Sequence, residues 1–98
     1  MRIGRVTAVE PFPEARNPAW KLTIDFGPEV GVKRSSARLT HYTAEALDGS
    51  LVVAVVNFPP RRVAGFSSEV LVLGGLDGDR GVVLLGPEGE CAPGSRIA

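Results

Sequence analysis

A small all-β barrel carrying one or two short helices is the fold class that the sequence predicts. Twelve glycines and eight prolines fall between short apolar stretches instead of gathering in one linker, which is how turns punctuate a compact β fold. Trp20, Leu22, Ile24 and Phe26 alternate strictly with Lys21, Thr23 and Asp25, the pattern of a half-buried strand. About five strand-like stretches fit within the 98 residues. A chain of this length is expected to form one domain, residues 1–98, because chains divide only well above this size. Hydrophobic residues at 44% and charged residues at 22% are ordinary globular usage, enough for a packed core.

Taken in order, Ile3, Val6 and Val9 sit among polar residues before the break at Pro11 and Pro13. The alternating strand from Trp20 follows, and Gly27-Pro28 is expected to turn the chain. Val30 and Val32 then lead into the polar segment from Lys33 to Arg38, read as an antiparallel partner of the preceding strand. Thr43-Ala44-Glu45-Ala46-Leu47 is a short helical signal with Thr43 as N-cap and Gly49 as stop. The β-branched run Leu51 to Val56 reads as a strand buried on both faces and the centre of the core. Val70 to Leu73 and Val82 to Leu85 read as further strands separated by a turn-rich stretch, Gly74 to Asp79. A small barrel of about five strands has the OB-fold as its leading candidate.

Eleven Lys and Arg balance eleven Asp and Glu, which as a whole argues against indiscriminate binding of nucleic acid. The distribution is uneven. From Gly31 to Phe66 there are five basic residues, Lys33, Arg34, Arg38, Arg61 and Arg62, against two acids; from Glu69 to Glu90 there are five acids against Arg80 alone. Charges farther apart than a Debye length of roughly 8 Å are largely screened from one another, so a local basic patch can hold phosphate on a neutral molecule. Single residues of cysteine and histidine exclude an internal disulfide and a multi-histidine metal site. No apolar run has the length of a signal peptide or a membrane span, so a cytoplasmic protein without membrane insertion is expected. His41 lacks a nucleophile or carboxylate partner recognisable by motif, and the cluster from Gly74 to Gly81 lacks the Lys-Ser/Thr ending of a phosphate-binding loop. No catalytic residue, metal or cofactor is expected.

The stretch from Asn57 to Gly74, NFPPRRVAGFSSEVLVLG, resembles the signature of the CsaA proteins. These belong to the wider tRNA-binding-domain family, which also includes the C-terminal appendage of methionyl-tRNA synthetases. Phe12 to Arg16, Lys33 to Ala37 and Pro93-Gly94 match the same pattern, so the resemblance covers nearly the whole chain. It implies an OB-fold homodimer that binds tRNA or tRNA-like RNA and, in the CsaA branch, a chaperone role in protein secretion. Two departures stand out. The pattern usually has Gln where Arg34 and Arg38 stand here, and a short helical segment that helps form the family's dimer usually precedes the first strand.

On that resemblance the expected RNA-binding residues are Lys33, Arg34, Arg38, Arg61 and Arg62, with Ser35, Ser36, Ser68 and Asn57 as accessory donors. Arg61 and Arg62 follow two prolines that stiffen the turn after the central strand and present the guanidinium groups at little ordering cost. The serines serve equally well to satisfy backbone groups at strand ends, and Asn57 to bond the turn beside two prolines that lack N–H groups. Glu69 is expected either to orient Arg61 or Arg62 or to accept backbone donors at the start of the next strand. Trp20 is expected in the core or a dimer contact rather than on a base. Phe58 and Phe66 flank the basic turn and are the candidates for an apolar surface that would accept an unfolded preprotein or peptide, the alternative partner.

Overall fold

A computed structural model describes residues 1–16, 18–39, 41–79 and 81–98. Its elements run β1 (Arg2–Pro11), β2 (Trp20–Asp25), α1 (Gly27–Val30), β3 (Val32–Ala37), α2 (Ala44–Leu47), β4 (Leu51–Val55), β5 (Arg61–Val63), β6 (Phe66–Ser68), β7 (Leu71–Val72), β8 (Gly74–Asp77) and β9 (Gly81–Leu84). A five-stranded antiparallel sheet in the order β3-β2-β1-β4-β7 curls into a nearly closed barrel, and β5-β6 and β8-β9 form two separate hairpins. This is the predicted all-β barrel with two short helices. No helix among the described residues is long and apolar enough to cross a membrane.

β1 is the hinge of the barrel. Its first half pairs with β4 and its second half with β2, and a bulge falls between Val6 and Ala8. The extra residue lets Val6 and Val9, three apart, both pack on the core, where regular strand alternation would put them on opposite faces. Gly4 is required because the Ile24 and Phe26 side chains pack directly on the backbone of β1: a Cβ there would stand 2.5 Å from Ile24 Cγ2 and 2.6 Å from the Phe26 ring. β2 fills the interior with Leu22 and Ile24, and Phe26 follows at its end; all three are fully buried.

One strand-end reading changes. Gly27-Pro28 opens the one-turn helix α1, with proline in its first turn and Asp25 Oδ1 accepting the Gly27 N–H at 2.8 Å. β3 then returns along β2 in the register Leu22↔Ser35 and Thr23↔Arg34. α2 starts as expected: Thr43 Oγ1 accepts the Ala46 N–H at 3.1 Å, and Leu47 closes one end of the core.

β4 is not buried on both faces. Val52 and Ala54 are buried, whereas Leu51, Val53 and Val55 are half-buried, because a barrel strand has a single inward face. The Gly74 to Asp79 stretch is mostly strand and not turn: β8 pairs with β9 from Gly74↔Leu84 to Asp77↔Gly81. Its glycine suits this close pairing, since a Cβ at Gly74 would meet Val82 Cγ1 at 2.5 Å. The barrel closes between β3 and β7, where Glu69 N–H donates to Arg34 O at 2.8 Å and Ser35 Oγ to Val70 O at 3.0 Å.

Candidate nucleic-acid interface

Three segments meet beside the closing seam of the barrel. The loop after β1 brings Ala15 and Arg16, the end of β3 brings Ser36 and continues to Arg38, and the β5–β6 hairpin brings Arg61 and Ser68. Together with Phe58 they line a groove of about 570 Å³. Its floor is aliphatic and comes from the barrel itself, with Leu39 and Val70 essentially buried and Val72 and Leu84 half-buried. No Asp or Glu is among the described lining residues.

The β5–β6 hairpin explains why Arg61 projects. Arg61 and Arg62 lie on β5, paired with Ser68 and Ser67, and not in a turn. The turn is Ala64-Gly65, with φ of 48° and 83°, the two-residue geometry whose twist matches a hairpin. Successive residues of β5 therefore point to opposite sides. Arg61 lines the groove, and Arg62, equally exposed, does not.

The sequence candidates divide accordingly. Ser36, Arg38, Arg61 and Ser68 come together at the groove. Lys33, half-buried, stands opposite Ile24 near the start of β3 and away from it, and Asn57 is exposed outside it. Ser35 has no surface to offer a ligand: it is fully buried, and its Oγ donates to Val70 O as part of the seam. Ser68 is 8% exposed, and its Oγ accepts the Ser36 N–H at 3.1 Å, so it holds the hairpin against β3 while facing the groove.

Arg34 is engaged within the molecule. Its guanidinium lies 4.8 Å over the Phe66 ring, and Nη2 pairs with Glu10 at 3.2 Å. Lys21 Nζ stands 4.8 Å from the centroid of Phe12 and 5.3 Å from that of Phe66, and the two rings meet edge to face at 5.4 Å. This stack covers Phe66, which is 8% exposed and therefore does not form the open apolar surface expected of it. Phe58, half-buried on the groove wall, remains accessible. Glu69 takes the backbone role: its Oε1 accepts the Arg34 N–H at 2.9 Å. Trp20 packs against the core and donates Nε1–H to Tyr42 O at 3.2 Å.

Arg16, quoted only within the matching Phe12 to Arg16 segment, and Lys21 were not among the expected binding residues. Arg16 sits in the loop joining the first two strands, which in small barrels of this topology contributes to the binding face; that placement is the signal that would have found it. Among the described residues the ion pairs are Arg2–Glu29, Arg5–Glu90 and Arg34–Glu10. Arg16, Arg38, Arg61 and Arg62 thus keep their charge unpaired there. Guanidinium forks held at a concave surface match the oxygens of phosphate.

The tRNA binding domain family model matches residues 1–96. The methionine–tRNA ligase of Methanosarcina acetivorans is 34% identical over 97 residues, covering 99% of this chain and 14% of the ligase. That of Archaeoglobus fulgidus is 37% identical over 97 residues, with the same coverage. The chain therefore spans only a small fraction of these ligases. Among solved structures, the CsaA chaperone protein of Picrophilus torridus superposes with a TM-score of 0.94 at 50% identity, covering 99% of this chain and 89% of that one. Chaperone CsaA of Bacillus anthracis str. Ames gives 0.92 at 58% identity, covering 99% and 88%. With a family model spanning almost every residue and an OB-fold barrel shared with these structures, the chain belongs to the tRNA-binding-domain family and is of the CsaA type.

Proposed function

We propose that residues 1–98 form a non-catalytic, homodimeric RNA-binding domain of the cytoplasm that holds tRNA or tRNA-like RNA against the arginine-lined groove. The observation that carries this reading is the convergence of Arg16, Arg38 and Arg61 from three segments on one concave surface with no carboxylate among its described lining residues. Arg62 and Lys33 extend the positive surface beyond the groove, Ser36 and Asn57 supply donors, and recognition proceeds through shape and backbone contacts, as is usual for folded RNA. The apolar side chains exposed at Leu76 on β8 and at Leu85 just after β9 support a self-association surface.

A second reading, an unfolded preprotein or peptide in the same groove, is favoured by the aliphatic floor, by Phe58, and by the likeness to two chaperones. Titrating the protein in parallel with a tRNA pool and a signal-bearing peptide at two salt concentrations separates the two. RNA binding that weakens steeply with salt supports the first reading. Peptide binding that persists at high salt, with no tRNA bound at either concentration, replaces it with the second.

A further inference from the structure

We infer that the groove receives a single unpaired nucleotide of the RNA, its base on the aliphatic floor beside Phe58 and its flanking phosphates on Arg16, Arg38 and Arg61; this rests on the RNA-binding reading above. Backbone recognition of a folded RNA needs only cations on an open surface. The groove has a second part that such contacts leave unused, an apolar recess of about 570 Å³, within the range of small-ligand sites. A duplex keeps its bases stacked inside and offers nothing to fill it. An unstacked base offers a planar, weakly polar face, and its own phosphates stand next to it, so one ligand satisfies the floor and the rim together.

The side chains suit that occupant. Phe58 is half-buried on the wall, and an aromatic ring fixed in a groove is the usual platform for an unpaired base. Ser68 Oγ already accepts the Ser36 N–H, and no acceptor among the described residues takes its own proton. Its hydroxyl is thus oriented at the groove wall with a donor to spare for a base edge or a ribose. Charge complementarity favours an anionic ligand, since arginines stand on three lining segments and carboxylates on none of those described. An acidic peptide shares the charge but lacks the planar face, and serves as the competing occupant in the test.

The test displaces a labelled tRNA pool from the protein with three unlabelled probes: a tetra-adenylate ribonucleotide, an abasic ribose-phosphate oligomer of equal length and charge, and an acidic tetrapeptide. The adenylate should displace tRNA at a concentration at least about five-fold lower than the abasic oligomer, given the roughly five- to 150-fold value of one stacked base. Phe58→Ala should erase that difference while leaving the salt dependence of tRNA binding unchanged, because no phosphate contact is lost. Phe58→Leu, which keeps the apolar volume, guards against a folding defect and should erase most of it too. Equal displacement by adenylate and abasic oligomer, or stronger displacement by the peptide, overturns the inference while tRNA binding stands. Absence of tRNA binding altogether overturns this inference and the RNA-binding reading it rests on.

Discussion

Arg34 and Arg61 sit in similar basic company in the sequence, yet the structure gives them different surroundings. Arg34 is spent on Phe66 and Glu10, whereas Arg61 lines the groove without a carboxylate partner among the described residues. Which way a strand residue points depends on register, and the register of β5 is set by the Ala64-Gly65 turn, which local composition does not announce. The same holds for the serines: Ser35 and Ser36 are neighbours, and the pleat sends one into the seam and the other to the groove. Residue types in the basic segments were therefore legible, and their division into structure and site was not. Replacing Arg34 by Gln is expected to remove a contact worth roughly 0.5–1 kcal/mol at a partly exposed site. Thermal unfolding should then show Tm lowered by a few degrees, with the salt dependence of tRNA binding nearly unchanged. A loss of salt dependence with Tm unaltered would instead put Arg34 on a phosphate.

Among the elements, β2, β3 and α2 follow directly from alternation and capping, because each owes its form to local pattern. β1 and β8 do not. The bulge in β1 disguises its alternation, and the glycines of β8 read as turn until the close approach of Val82 and Val83 explains them. The β5–β6 hairpin was hidden for a related reason: its turn uses alanine at a left-handed position, with φ of 48°, where asparagine or glycine is the usual signal. That alanine carries a cost of roughly 1–2 kcal/mol. Ala64→Asn is expected to recover about 1 kcal/mol, which in a domain of this size raises Tm by about 4–8 °C. Since Ala64 does not line the groove, tRNA affinity should be preserved. A lowered Tm would contradict the assigned turn.

At the scale of the whole molecule, eleven positive and eleven negative charges cancel, and the fold decides what that neutrality means. Folding draws Arg16, distant in sequence from the two basic segments, to the same groove as Arg38 and Arg61. The Asp77 and Asp79 carboxylates belong to the exposed β8–β9 hairpin and its turn. Segregation of this kind predicts binding confined to one face, with little affinity for arbitrary duplex DNA. Apolar exposure is greatest at Leu76 on β8, which is 89% exposed. If the proposed homodimer forms through this side chain, Leu76→Glu shifts sedimentation equilibrium towards the 10.3 kDa monomer, and a dimer unshifted by the replacement would move the self-association surface elsewhere.

On the proposed reading, the groove arginines hold RNA phosphates. Its most direct test is the dependence of tRNA affinity on salt concentration, measured for the unaltered protein and for Arg16→Ala, Arg38→Ala and Arg61→Ala, each checked for folding. Each replacement should weaken binding and reduce the slope of log affinity against log salt by about 0.7–0.9, the value of one phosphate contact. Slopes that remain equal to that of the unaltered protein in all three variants would contradict the claim.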